Sequence, residues 1–476
     1  MSTVACAVTL ACASHWTGQP PGYSAASTEA RTAEDAGTAG EDAAAPRPAP
    51  PESVATREVG SEEPPQPAPF PEGTRSLRVL DQAHVRSAPD DHSRYIGKIT
   101  RGTRVAWKRV VAAADDARPA RGKPPRCSTW VEIEPMGFLC EKLLAPAKEE
   151  PSGDHLPLVP HGKLIPFDYF RINENETNVY KTAEDVRGGI VEKQLSTKVM
   201  VVGSGIVDVD GTEYTKTDHG LVETARLGRY WPSDFAGLDV RGRAATDWPF
   251  AWVYAPRGAR KPAVLSAPDE QAPVVRRAER REVVRVLEEQ NGHVRIGDGE
   301  WIPRKQLRVA ALSPLPAGLA EGARWIDVDR DEQVLVAYEG AHPVFATLVS
   351  TGKLHHETPL GLYRVRAKAA TTSMAGDPDV PDRYEVSAVP WAVRFRSGLF
   401  IHGVYWHDGF GGILSHGCVN VSPKDAAFIF EWVDPKVPDG WSEIEVPPNE
   451  GVFVRVRDRE HPDPLPFDYT KEDAKQ

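Results

Sequence analysis

Ser415-His416-Gly417-Cys418-Val419-Asn420, with Ile401-His402-Gly403 a short way upstream, is the stretch that decides how this chain reads. It sets a thiol among imidazoles and a turn-forming glycine within twenty residues. Those are the ingredients of a cysteine nucleophile that takes an acyl group. A thiol attacks well only as thiolate, so it needs a base or a field that favours negative charge. His402 and His416 are the candidate bases. Gly417 allows a sharp turn, which makes the Gly417 and Cys418 amides candidates for an oxyanion hole. Downstream, Ser422-Pro423-Lys424-Asp425 reads as an N-cap, a proline at the first helical position and an acid at the third. Ala426, Ile429, Phe430 and Val433 recur at helical spacing and predict one apolar face. The cysteine is therefore expected just ahead of a helix N-terminus, whose dipole favours a thiolate.

At this point the chain resembles the catalytic domain of the L,D-transpeptidases, the YkuD type. The signature of that family is a histidine, a spacer, then Ser/Thr-His-Gly-Cys-x-Asn or Arg. Here twelve residues separate His402 from Ser415, slightly fewer than usual, and Asn420 matches the asparagine variant. The likeness extends through Trp325-Ile326-Asp327-Val328, Glu332-Gln333-Val334-Leu335, Val349-Ser350-Thr351-Gly352 and Thr358-Pro359-Leu360-Gly361-Leu362-Tyr363. The resemblance implies that Cys418 is the nucleophile and His402 its base, oriented by the Gly403 carbonyl. It implies that His416 lines the site and that the Gly417 and Cys418 amides hold the oxyanion. It also implies a peptidoglycan tetrapeptide stem as donor, attacked at its third residue with loss of the terminal D-alanine. An amine acceptor gives a 3–3 cross-link or protein attachment; water gives an L,D-carboxypeptidase. Ser415, Asn420, Trp391, Tyr405 and Trp406 are expected around the binding site.

Blander readings compete residue by residue. A lone cysteine is often an inert small hydrophobe. His407 follows Tyr405-Trp406 in a Gly-rich loop and reads as a surface or stacking residue. His355 and His356 receive no role. His402, His407, His416 and Cys418 form a zinc set by residue type, but the spacing lacks a second ligand arm, so no metal or cofactor is expected.

Composition bounds the rest. The 476 residues suffice for several domains, and 40% hydrophobic with 26% charged is ordinary for a globular chain. No stretch approaches eighteen apolar residues, so no spanning helix is expected. Residues 1–73 hold ten acids and three arginines, accounting for −7 of the −11 net charge. No basic patch suits nucleic acid.

Residues 1–13 read as the remnant of an export or lipoprotein signal, and Leu10-Ala11-Cys12 makes Cys12 a candidate lipidation site. Residues 14–73, with nine prolines between Pro46 and Pro71, read as a disordered linker. Together these place the protein in the cell envelope or periplasm. Cys127 and Cys140 flank Trp130-Val131-Glu132-Ile133 at hairpin spacing and form a candidate disulfide, leaving Cys418 as the odd thiol.

Short strand-like runs separated by turn residues predict a mainly β chain. His84-Val85-Arg86-Ser87-Ala88-Pro89-Asp90 recurs as Ala263-Val264-Leu265-Ser266-Ala267-Pro268-Asp269. Each copy leads to a tryptophan-bearing strand and then Lys142-Leu143-Leu144 or Lys305-Gln306-Leu307. These segments resemble bacterial SH3-like barrels, at 74–148 and 250–312, with a diverged copy at 160–245. Residues 320–457 form the catalytic domain, and 458–476 a fraying tail. Pro166-Phe167-Asp168-Tyr169 returns as Pro466-Phe467-Asp468-Tyr469 with no role evident from sequence. Two other functions stay open: a cysteine peptidase of wall peptides, whose cysteine normally precedes its histidine, and a catalytically silent wall-binding scaffold.

Overall fold

The computed structural model describes residues 70–113, 127–376 and 383–470. Cys12, the signal at 1–13 and the linker up to residue 69 lie outside the described residues. The rest is mainly β, as the alternating runs predict.

The C-terminal region packs two layers of strands around one helix. One layer runs in the order Leu238–Asp239, His342–Leu348, Val334–Glu339, Arg324–Asp329, Phe453–Arg457, Gly361–Arg364. The facing layer carries Glu385–Arg396, Leu399–Gly403 and Val419–Val421. The β-branched runs are buried on both faces, which is why they read as near-continuous apolar stretches. Ile326, Leu335 and Val454 from the first layer meet Val393, Ile401 and Val419 from the second. Ala426, Ile429 and Phe430 of helix Pro423–Trp432 complete that core. The helix starts where its caps dictate, with Ser422 Oγ accepting the Asp425 N–H at 3.2 Å. At its other end, buried Lys368 donates to the carbonyls of Val433 and Pro435 at 2.7 and 2.9 Å.

The preceding β units join this core through shared strands. Tyr95–Ile99 of the first unit runs antiparallel to Trp441–Glu445, and Trp441 enters that unit's own core. Gly97 is required there, because a Cβ would lie 2.4 Å from the Trp441 ring. Strand Val199–Val209 of the middle unit runs parallel to Glu385–Arg396, with Met200 opposite Val386. The repeated Ser-Ala-Pro-Asp segments adopt one turn. In each, the serine N–H reaches a carbonyl across the turn and the aspartate N–H reaches the alanine carbonyl two residues back. All three units end in a strand, a single 3₁₀ turn and a second strand, at 141–143, 224–226 and 304–306. The middle unit adds a short helix, Ala183–Gly188, with a Thr182–Asp185 capping box and Gly189 at positive φ. Cys127 and Cys140 are joined as a disulfide.

The recurring Pro-Phe-Asp-Tyr now has a physical account. Tyr169 Oη donates to the Ala388 carbonyl at 2.8 Å, and Tyr469 Oη to the Phe395 carbonyl at 2.7 Å. Both acceptors lie on the one long strand Glu385–Arg396. The expectation of a fraying tail fails as far as residue 470. Leu362 N–H donates to the Leu465 carbonyl at 3.0 Å, and Phe467 packs on Tyr363.

Candidate functional site

Two adjacent parallel strands bring the signature residues together. Leu399–Gly403 pairs with Val419–Val421 so that His402 lies opposite Asn420. Cys418 precedes the second strand, on a turn that Gly417 makes at φ 116°. A Cβ at Gly417 would stand 2.9 Å from the Leu399 side chain. Ser415 Oγ closes the turn, accepting the Gly417 N–H at 3.1 Å and donating to the Cys418 carbonyl at 2.5 Å. Thr358 Oγ1 donates to the Gly417 carbonyl at 2.8 Å. The Gly417 amide is therefore already engaged. Of the two amides expected at an oxyanion hole, this leaves that of Cys418.

Cys418 and His402 line one cavity of about 350 Å³. His402 is buried, and its Nδ1 lies 3.2 Å from the Gly403 carbonyl oxygen. A carbonyl can only accept, so Nδ1 carries the proton and Nε2 keeps its lone pair. Burial lowers the His402 pKa to about 4, against the pull of the Gly403 hydrogen bond. Desolvation pushes the Cys418 thiol up to about 11, against a backbone hydrogen bond at Phe400. The pair at rest is thus a neutral thiol and a neutral imidazole.

This corrects the expectation that a helix dipole holds a thiolate. A three-residue strand separates Cys418 from Ser422, placing the helix N-cap four residues and roughly 13 Å further along the chain at about 3.3 Å per residue. A helix end acts within its own first turn. Here Ser422 and Asp425 occupy that turn.

The other expected residues divide. Trp406 lines the cavity, its ring 5.9 Å from that of His402. Trp391 does not; it is buried in the core with Val393 and Ile401. Tyr405 stands behind the wall, stacked on Tyr169 at 3.7 Å with its hydroxyl donating to the Ser387 carbonyl. His416 sits exposed at the rim, its ring 4.9 Å from both His356 and Tyr384. His356, given no role from sequence, thus reaches the rim. His407 is no surface residue: it lines the cavity and meets the Asn420 amide at 3.0 Å. Met200, Met374, Tyr384, Val386 and Leu414 also line it and were not legible in sequence. Met200 comes from the middle unit, so the wall crosses the boundary drawn at residue 320. Among the described residues, no group of three or more His, Cys, Asp or Glu is placed to hold a metal ion.

Residues 323–446 match the family model for the YkuD L,D-transpeptidase catalytic domain. The chain is 38% identical over 93 residues to the probable L,D-transpeptidase 3 of Mycobacterium tuberculosis, covering 18% of this chain and 34% of the relative. It is 30% identical over 142 residues to L,D-transpeptidase 1 of the same organism, covering 28% and 56%. The chain thus spans between about a third and just over half the length of these curated relatives. A solved structure, the catalytic domain of the E. faecium L,D-transpeptidase, is similar at 27% identity and TM-score 0.24, over 29% of this chain and 100% of that one. From the strand at Trp325 to the strand ending at Glu445, this chain carries an L,D-transpeptidase catalytic domain of the YkuD family.

Proposed function

We propose that the protein is a peptidoglycan L,D-transpeptidase working through an acyl-enzyme on Cys418. The observation that carries the reading is that a neutral thiol and a neutral imidazole with its Nε2 lone pair available line one cavity. The low pKa of His402 keeps it unprotonated, and thus a base, throughout the neutral range.

In the first half-reaction His402 Nε2 takes the thiol proton as Sγ attacks the carbonyl of the stem's third residue. The electron pair moves onto the carbonyl oxygen, where the Cys418 amide stabilises it. Collapse of this intermediate breaks the C–N bond. D-Alanine leaves with the proton returned from His402, and the acyl group stays on sulfur as a thioester. An acceptor amine then attacks the thioester, losing a proton to His402, and the sulfur departs to be reprotonated. The product is a 3–3 cross-link or a protein attachment; with water as acceptor the same steps give an L,D-carboxypeptidase. Met200, Met374, Val386 and Leu414 give the cavity that Cys418 lines an apolar wall.

The disulfide supports an oxidising compartment, and with the sequence of residues 1–73 we place the protein in the cell envelope, with Cys12 as a candidate lipid anchor. Among the described residues no helix is long and apolar enough to cross a membrane. We take the units at 74–148 and 250–312, with 160–245, as SH3-like modules. Incubation with purified peptidoglycan tests the reading. Release of D-alanine with dimers joined between two diamino acids is expected; cleavage within the stems without D-alanine release would indicate a peptidase, and no change a scaffold.

A further inference from the structure

Strand Val199–Val209 lies outside residues 323–446, which carry the family match, yet it contributes a side chain to the wall of the Cys418 cavity. It runs parallel to Glu385–Arg396, whose other edge runs antiparallel to Ala367–Ala375. In this register Met200 stands opposite Val386, and Val386 opposite Met374. Residues opposite one another on neighbouring strands share a face of the sheet. The three side chains therefore form one row across three strands, and all three line the cavity that holds Cys418 and His402.

The middle unit is fastened to the central strand of this row on both sides of Val386. Glu385 N–H donates to the Lys198 carbonyl at 3.1 Å, and His219 Nε2 lies 3.5 Å from Glu385 Oε1. Beyond Val386, Tyr169 Oη donates to the Ala388 carbonyl at 2.8 Å. Met200 is thus held at the wall by backbone pairing and by flanking contacts. Val386 in the middle of the row is buried, whereas Met200 and Met374 at its ends are each partly exposed. Apolar surface left open inside a cavity gains free energy when a ligand covers it. A methionine offers hydrocarbon and a soft thioether, with no charge and no strong donor, and its flexible chain follows the shape it covers. The ligand part that matches such a row is uncharged and aliphatic.

We propose that Met200 is a binding residue for the acyl donor, supplied to the catalytic cavity by the middle unit. With Met374 it clasps an uncharged, aliphatic part of that molecule across Val386. The catalytic domain by itself holds one side of the clasp. This rests on the acyl-transfer reading for its ligand, and goes beyond it in making residues 160–245 part of the substrate site.

The test uses the full chain and a synthetic tetrapeptide stem. In a Cys418→Ala background, which cannot form the thioester, calorimetry gives the dissociation constant with Met200→Ala, Met200→Leu or Met374→Ala added. Ile206→Ala is the control, since Ile206 lies on the same strand, is 60% exposed and does not line the cavity. We expect binding about tenfold weaker for either methionine-to-alanine change, the worth of roughly two buried methylene-sized groups. Leucine should bind nearly as the parent does, and Ile206→Ala should match it. With Cys418 present, Met200→Ala should raise KM while kcat and the rate of Cys418 alkylation by iodoacetamide stay the same, because the wall holds ground and transition states alike. Met200→Thr, which suits a strand, takes the place of Met200→Ala should that variant fail to fold, and should weaken binding as much. An unchanged dissociation constant, a matching fall in kcat and alkylation, or a stem that does not bind Cys418→Ala overturns the proposal. Stem binding that depends on Met200 in a wild type that takes no acyl group would sink the acyl-transfer reading and leave this one standing.

Discussion

His402 Nδ1 lies 3.2 Å from the carbonyl oxygen of Gly403, its own neighbour in the chain. A backbone dipole thus orients the imidazole where other cysteine enzymes use a carboxylate, and it does so without bringing a charge into the cavity. With no anion beside it, the buried ring gains no imidazolium stabilisation, and its pKa falls to about 4. The acylation rate should therefore rise with pH through about 4 and stay level to neutrality. A midpoint near 6.5, the value of an exposed histidine, would mean that another base acts.

Ser415 Oγ ties both sides of the Cys418 turn. Ser415→Ala should release the Gly417 amide and the Cys418 carbonyl and slow acylation about tenfold or more, with Ser415→Thr close to wild type. Stopped-flow acylation checks this. Equal rates for alanine and serine would show that Gly417 holds the turn alone.

The two Pro-Phe-Asp-Tyr copies should matter through their hydroxyls. Tyr169→Phe and Tyr469→Phe each leave a strand carbonyl without its donor, at a cost of about 1 kcal/mol, more at Tyr469, which also accepts the Arg364 N–H. Denaturant melts of the single and double variants measure it. Unchanged midpoints would make the repeat an accident of sequence.

Lys368 gives stability a pH signature. Burial lowers its pKa to about 7, with Lys436 adding to the effect. Between pH 7 and the ordinary lysine value, the unfolded chain binds a proton that the folded chain has released. Stability therefore rises with pH across that window, by up to about 1.4 kcal/mol per unit from this group. Lys368→Met should remove the rise, which unfolding curves at pH 7 and 9 would show. A slope unchanged by the substitution would assign it elsewhere.

The sequence made the helix, its N-cap and the Cys418 turn legible, because those depend on neighbours a few residues apart. Asn420 and His402 could be paired in thought because one motif held both. Met200 and Tyr384 could not, since only a parallel strand pairing made between residues nearly two hundred apart brings them to the wall. Trp391 and Tyr405 misled for a related reason. An aromatic residue near a motif fits a wall or a core equally well, and packing against Val393 or Tyr169 decides between them. The charge state of Cys418 was not legible either, because a helix start close by in the chain lies beyond an intervening extended strand.

The most direct measurement is the intact mass of the protein quenched in acid during turnover of a tetrapeptide stem, followed by mapping of the modified peptide. The account predicts an added mass equal to the stem less D-alanine, carried by the peptide containing Cys418 and absent from Cys418→Ser. D-Alanine release that continues undiminished in Cys418→Ser, or an adduct on another residue, would contradict it.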